Sequence, residues 1–507
     1  MEIDKINLLI SKLKDCTSNL ETYQQGKKIV LPFRDMQPGI LEVLAFFKTN
    51  NIKQGDKIGI IGTNTVEWVV IDLACIAAGV ISVPFDPAVS YSIPELLAEF
   101  ELPFILSNIA PYKNIDSVYQ FDAVCKNQPV VEEGAKLAPV HYQLEDVLTY
   151  KFTSGSTQRP KVMGAMKQSV DAAITYVQEI FKHDSSDKVM VFLPLHTYQQ
   201  RYWIYSAILF DFDIILVPKE YVFHSITIDH PTVIMGVPFF FETIMKNFLS
   251  ELDTDEPLSE EMMKKEFLQQ MGGKIRYLWT GSAPVGADTL FFFEKMEIPV
   301  FQGYGMNEIC IVAKNYFGNN KTGSVGKLLP GKEAKFDENN QLLIKSKYPV
   351  NTSYYKAEKE DNDATFLPDG FVATGDLGYL DEDGYLFING RIKELIVLAN
   401  AVKIHPAPVE KKIETSPLIK HCVVYGDEHP YLVALIVPVV ADTDHNKIKE
   451  EIAKVNELLK PHERVCNFLI AGEEFGSDST RLSAQNKILR NGIIKDYAAK
   501  LEKLYSN

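Results

Sequence analysis

Thr153-Ser154-Gly155-Ser156-Thr157-Gln158-Arg159-Pro160-Lys161 gathers hydroxyl side chains, a glycine and a closing lysine into one short stretch. Gly155 lets the backbone approach a ligand closely, the hydroxyls of Ser154, Ser156 and Thr157 offer donors, and Lys161 adds a mobile positive charge. That set suits a polyphosphate. It is not a Walker A loop, which ends in Gly-Lys-Ser/Thr. By itself such a stretch is most often a plain connecting turn. Its setting is an expected strand, Val147 to Phe152, before it, and an expected helix after it, where Met166 to Phe181 carries apolar residues at helical spacing.

Further segments follow in order: Thr280-Gly281-Ser282-Ala283-Pro284, Gln302-Gly303-Tyr304-Gly305-Met306-Asn307-Glu308, Ala373-Thr374-Gly375-Asp376-Leu377 and Asn389-Gly390-Arg391-Ile392-Lys393-Glu394-Leu395-Ile396. Together with the first loop this series closely resembles the adenylate-forming superfamily of acyl-CoA synthetases, luciferases and peptide-synthetase adenylation domains. The resemblance runs from about Lys53 to the C-terminus.

The elements that must position these segments read as α/β. Short β-branched runs such as Lys57 to Ile61 alternate with helical patterns such as Glu67 to Ala78, and the alternation recurs between Asp187 and Ser250 and between Lys274 and Val300. Strands alternating with helices predict largely parallel layers. After Gly323, shorter strands and Asp/Asn/Gly turns predict an antiparallel subdomain. A final unit carries a helix-like run from Ala407 to Glu414, strands at His421 to Tyr425 and Tyr431 to Val439, and a closing helix near Gly492 to Leu504. The expected architecture is therefore a large N-terminal domain, 1–390, of layered α/β subdomains plus a β-rich subdomain. A small mobile α+β domain, 391–507, follows it, with the boundary taken mainly from the resemblance.

With 507 residues the chain is long enough for two or more cored domains. Its 52 basic and 67 acidic side chains give a net charge of −15, which disfavours a nucleic-acid surface. No secretory signal opens the chain. The longest apolar region, Val69 to Phe85, holds Asp72 and breaks near Gly79, so it predicts a buried helix followed by a strand rather than a membrane span; peripheral membrane contact stays open. The cysteines (Cys16, Cys75, Cys125, Cys310, Cys422, Cys466) show no metal-ligand spacing, and reduced thiols in a cytoplasmic protein are the expectation.

The resemblance implies roles. ATP, with Mg²⁺, is joined through its α-phosphate to a carboxylic acid, and pyrophosphate leaves. Thr153, Ser154, Gly155, Ser156, Thr157 and Lys161 would wrap the β- and γ-phosphates, although Gln158 replaces a usual glycine. Glu308 would bind Mg²⁺, a hard cation that suits a carboxylate. Tyr304 would stack on adenine, beside Gly303, Gly305 and Met306. Asn307 stands where threonine usually contacts the α-phosphate. Asp376 would accept both ribose hydroxyls, and Arg391 would add a fork of donors near ribose and phosphate. Gly281, Ser282, Ala283 and Pro284 would line the adenine and acyl pockets. Lys487 would bridge carboxylate and phosphate, relieving repulsion between the anions. Lys393 would be the hinge about which the small domain turns.

Phe192 to His196 followed by Gln200-Arg201, with Pro231 to Pro238 and His462 to Val465, resembles the long-chain acyl-CoA synthetase branch. This implies an apolar fatty or aromatic acid and a place in fatty acid metabolism. His196 reads either as a gate in the pocket wall or as a packed, hydrogen-bonded histidine. The clusters Phe239-Phe240-Phe241 and Phe291-Phe292-Phe293 read as pocket lining or, more commonly, as core. Asn400-Ala401 replaces a usual Gly-Gly pair beside the pantetheine tunnel. Three functions stay open: a ligase passing the acyl group to CoA, the leading reading; one loading a carrier protein or an amine; and a non-catalytic nucleotide- or acyl-binding protein.

Overall fold

The computed structural model describes residues 3–125, 137–153, 160–252, 258–281, 283, 285–472 and 490–505. Its architecture grows from two helices that are apolar nearly all round. Val66–Ala78 buries every residue from Trp68 to Ala77. Thr65 caps its start by accepting from the Trp68 N–H, and Gly79 ends it in a left-handed turn, φ 69°. Tyr198–Phe210 is buried in the same way. Helices of that composition have no solvent face and must lie inside the protein.

Two sheets cover them. The first has six strands in the order Val118–Gln120, Ile105–Ser107, Lys57–Ile61, Ile81–Phe85, Val147–Phe152, Val162–Met166. All its pairs are parallel except the last, a hairpin. The second has nine strands in the order Lys327–Leu328, Cys310–Lys314, Val300–Met306, Tyr277–Thr280, Val233–Gly236, Lys188–Val191, Asp213–Leu216, Asn19–Gln24, Lys27–Pro32. Its centre is parallel and both edges are antiparallel.

Two findings differ from the sequence reading. The segment after the hydroxyl-rich loop is first a strand, Val162–Met166, and the helix begins only at Lys167. The loop thus closes a β-hairpin instead of joining strand to helix: buried Val162 and Met163 pair back onto Phe152 and Lys151 before the helical pattern takes over. The N-terminal hairpin Asn19–Gln24 and Lys27–Pro32, outside the region of resemblance, completes the nine-stranded sheet by pairing with Asp213–Leu216.

The predicted antiparallel region is a four-stranded sheet, Lys332–Phe336, Gln341–Ser346, Phe371–Leu380, Leu386–Arg391. The final unit begins with the small hairpin Ile396–Val397 and Lys403–Ile404. It continues with a three-stranded sheet, Ile419–Tyr425, Leu432–Pro438, Val465–Ile470, packed with helices Pro406–Ile413, His445–Glu457 and Arg490–Glu502. The phenylalanine clusters are core: Phe240, Phe241, Phe292 and Phe293 pack together, while Phe239 and Phe291 are exposed. No helix among the described residues is long and apolar enough to cross a membrane.

A buried charge pair ties the two central helices to the first sheet. Arg201, 1% exposed, donates to Asp72 at 2.8 Å, to Ser82 at 3.2 Å and to Thr149 at 3.0 Å. Its guanidinium lies 4.1 Å from the Tyr198 ring centre, and Tyr205 donates to the other Asp72 oxygen. Removing one partner strands the other charge in the core. Arg201→Ala should therefore destabilise the chain by about 3–5 kcal/mol, read as a shift of the urea-unfolding midpoint. A loss within about 1 kcal/mol, the range of exposed pairs, would contradict this account.

Candidate active site

Where the ends of the two sheets meet, the strand Val147–Phe152 grips the turn after Val300–Met306. Lys151 Nζ donates to the Asn307 carbonyl at 3.0 Å, and Asn307 Nδ2 donates to the Phe152 carbonyl at 2.9 Å. Thr153 then closes the neck of the loop: its N–H donates to the Lys161 carbonyl at 2.8 Å, and its hydroxyl accepts from the Lys161 N–H at 3.0 Å. Ser154, Gly155, Ser156, Thr157 and Gln158 lie outside the described residues. Lys161 Nζ reaches Asp361 at 2.7 Å and sits 4.8 Å from the centre of the Tyr354 ring.

Glu308, 7% exposed, accepts from the Tyr354 hydroxyl at 2.7 Å. Among the described residues no lysine, arginine or histidine forms an ion pair with it. Burial, and then the Glu308 charge, push the Tyr354 phenol well up, so it remains a donor. Lys151 is pushed down, chiefly by burial.

A second group follows on the same strand. Tyr304 donates to Asp376 Oδ2 at 2.5 Å, and Arg391 Nε lies 3.1 Å from Asp376 Oδ1. Asp376 and Arg391 are cross-strand partners, which fixes the second contact by register. Asp376 is buried at 5%, whereas the Arg391 side chain is 62% exposed. Burial first, and Asp376 second, push the Tyr304 phenol well up.

The glycines beside these groups answer to close approach. A Cβ on Gly305 would meet the Cys310 carbonyl oxygen at 2.5 Å, and one on Gly303 would meet Lys314 Cδ at 2.8 Å. Met306 ends the strand and accepts from the Ile309 N–H at 3.2 Å. Gly281 faces this strand, its Cβ position 3.5 Å from the Gly303 carbonyl oxygen. Ala283 follows nearby in the chain; Ser282 and Pro284 lie outside the described residues.

Thr153, Lys161, Asn307 and Glu308 are thus brought together, with Tyr304, Asp376 and Arg391 beside them. His196 contacts other groups: its Nε2 is 3.9 Å from Asp86, and its buried Nδ1 has no hydrogen-bond partner among the described residues. Burial pushes its pKa down and Asp86 opposes that shift. Lys393 is exposed on a 3₁₀ turn, Ile392–Glu394. Lys487 lies outside the described residues.

Comparison with known proteins decides the family. Residues 28–345 match the AMP-binding enzyme family, and residues 393–507 match the AMP-binding enzyme C-terminal domain. The chain belongs to the AMP-binding enzyme family. It is 25% identical to a long-chain-fatty-acid–CoA ligase of Mycobacterium bovis over 90% of this chain and 89% of that one. It is 26% identical to the 2-succinylbenzoate–CoA ligase of Bacillus subtilis over 92% and 94%. Among solved structures, ATP-bound MatB from Rhodopseudomonas palustris has a TM-score of 0.80 at 21% identity, covering 98% of this chain and 99% of that one. The o-succinylbenzoate CoA synthetase of Bacillus subtilis with its acyl-adenylate intermediate has a TM-score of 0.76 at 21% identity, covering 97% of each chain. The adenylate-forming resemblance and the α/β architecture with a small C-terminal domain are both borne out. As a member of this family, the protein is an AMP-forming acid–thiol ligase using ATP and Mg²⁺.

The residues fit a divalent cation. A hard cation wants oxygen ligands, and Glu308 offers a buried carboxylate whose protein contact, among the described residues, is a neutral phenol. No cluster of three or more acidic, histidine or cysteine side chains occurs among the described residues. That suits an ion shared between one carboxylate, phosphate oxygens and water rather than an all-protein cage.

Sequence reasoning missed Lys151, Tyr354 and Asp361. Lys151 lay inside an expected strand, and the acidic run Glu358 to Asp363 after Tyr354-Tyr355 was the one signal for the other two. Lys332 was missed as well. Its Nζ donates to the Ile309 carbonyl at 2.9 Å and to Ser346 at 2.8 Å, and burial pushes its pKa down to about 8.

Two predictions follow from these backbones and charges. Ala401, exposed between Ile396–Val397 and Lys403–Ile404, keeps a left-handed φ of 63° where the resemblance expects glycine. Ala401→Gly should stabilise by about 0.5–1 kcal/mol, read by thermal melting; a lower melting temperature would contradict the strain. For Lys332 the folded chain releases a proton near pH 8 that the unfolded chain holds until about 10.5, so the stability due to this group rises with pH across that window. Relative to Lys332→Met, the parent should therefore gain up to about 3 kcal/mol between those limits. A pH-independent difference would refute the depressed value.

Proposed function

We propose that this ligase activates an apolar carboxylic acid, fatty or aromatic, to its acyl-adenylate and then passes the acyl group to the thiol of CoA. The observation that carries the reading is the joint placement of Thr153, Lys161, Asn307 and Glu308 at one meeting of sheet ends, with Asp376 and Tyr304 beside them. A magnesium ion at Glu308 would neutralise phosphate charge.

The chain's own groups do the rest. Lys161 attracts the outer phosphates once it leaves Asp361. Asn307, held by Phe152 and Lys151, presents its remaining amide hydrogen beside the α-phosphate. Asp376 offers acceptor oxygens to the ribose hydroxyls, sharing them with Tyr304 and Arg391. Lys487 places a cation between the carboxylate and the phosphate, and Lys393 is the hinge between domains 1–390 and 391–507. The reacting carboxylate oxygen bonds to the α-phosphorus as pyrophosphate leaves; thiol sulfur then displaces AMP from the acyl carbon.

An apolar acid is supported by the likeness to a long-chain-fatty-acid–CoA ligase. Cys16, Cys75, Cys125, Cys310, Cys422 and Cys466 are free, which supports a reducing, cytoplasmic setting.

Acid-dependent ATP–pyrophosphate exchange across aromatic and short- to long-chain acids, without CoA, tests the first half-reaction. Exchange with one class of apolar acid is expected, and discharge of the adenylate by CoA faster than by a carrier-protein thiol. Lys487→Ala should lose exchange by at least about a hundredfold while still binding ATP. No exchange with any acid despite ATP binding would contradict the proposal, and unchanged exchange in Lys487→Ala would remove that residue from the mechanism.

A further inference from the structure

Tyr354 belongs to none of the motifs, yet it touches both charged groups on the phosphate side. Its hydroxyl donates to Glu308 Oε1 at 2.7 Å, and its ring lies 4.8 Å beneath Lys161 Nζ. The residue is 6% exposed and packs edge-on against Phe366, ring centres 5.1 Å apart. Its backbone N–H donates to Asn362 Oδ1 at 2.7 Å. The neighbour of that asparagine, Asp361, holds Lys161 Nζ at 2.7 Å. One short helix, Lys359–Thr365, therefore carries both the anchor for Tyr354 and an anion on Lys161.

The two contacts differ in kind. A hydroxyl donating to a buried carboxylate is a charge-assisted bond that fixes the rotation of the acceptor. With Oε1 taken by Tyr354, Oε2 is left for a cation. The Lys161–Asp361 pair is more open, with side chains 29% and 51% exposed. Pairs of that sort contribute little stability and yield readily to a polyanion. Asp361 meanwhile keeps Lys161 extended over the tyrosine ring, close to the loop neck at Thr153.

We infer that Tyr354 and Asp361 form a two-part clasp at the nucleotide site: Tyr354 is a positioning residue that orients Glu308 for a divalent cation, and Asp361 occupies Lys161 as a stand-in for the phosphate oxygens that displace it. This rests on the reading of Glu308 and Lys161 given above. The clasp makes cation affinity depend on a phenol 46 positions along the chain from the carboxylate, and makes ATP compete with an internal anion.

Calorimetric titration of the full chain with ATP, with and without Mg²⁺, tests both parts. Tyr354→Phe keeps the ring and loses the hydroxyl, so the Mg²⁺ concentration that half-saturates ATP binding should rise roughly tenfold, with metal-free ATP binding unchanged. Tyr354→Leu should weaken metal-free ATP binding as well. Asp361→Asn, at an exposed position, should tighten ATP binding roughly two- to fivefold, the reverse of what loss of a structural pair would do. An unchanged Mg²⁺ dependence in Tyr354→Phe, or equal weakening with and without the metal, overturns the positioning role. Unchanged or weaker ATP binding in Asp361→Asn overturns the competition. A parent chain that binds no ATP overturns the phosphate-site reading beneath the clasp, whereas a parent that binds while every variant matches it overturns the clasp alone.

Discussion

The pair of hydrogen bonds between Asn307 and the end of Val147–Phe152 is the constraint on which the site depends. Lys151 donates to the Asn307 carbonyl, and the Asn307 amide donates back to the Phe152 carbonyl. The turn that follows a strand of the nine-stranded sheet is thereby locked to the last residues of a strand in the six-stranded sheet. Thr153 begins the loop immediately after that lock, and Glu308 follows immediately on the other side. Neither could hold its distance from the other if the sheets slid. The buried lysine gives up its preferred hydration to make the bond, a cost visible in its lowered pKa.

Burial of charge is organised differently at the base of the structure and at its site. Arg201 and Asp72 sit deep between the central helices with their donors and acceptors largely matched, which holds both side chains rigid. Lys314 is fully buried with a carbonyl partner at 2.7 Å and the Trp279 ring at 3.7 Å, and burial pushes its pKa well down. The matched pair stiffens the scaffold. At the edge, by contrast, Glu308, Asp376 and Lys161 have partners that a nucleotide can share or replace.

Much of this was legible in the sequence because the chemistry is local. Gly303-Tyr304-Gly305 was singled out by its motif, and the structure places it at the end of a strand with the Cys310 carbonyl and the Lys314 side chain pressed against its glycines. The Asp376–Arg391 contact was not legible, because it follows from strand register in the four-stranded sheet. Tyr354 and Asp361 left only the acidic run Glu358 to Asp363 as a signal, for the same cause: their partners lie far along the chain, and no periodicity connects them. The loop was misplaced because Val162–Met166 is short and merges into the helical pattern that follows. The phenylalanine clusters went the ordinary way, into the core, since two of each three side chains face the same layer.

The central claim is that the junction of the two sheets joins an acid to the α-phosphate of ATP. Phosphorus NMR of the full chain with ATP, Mg²⁺ and an apolar acid tests it most directly. The account predicts AMP and pyrophosphate appearing in equal amounts, only when the acid is present and CoA is supplied for turnover. ADP with orthophosphate, or AMP and pyrophosphate formed at the same rate without acid, would contradict it.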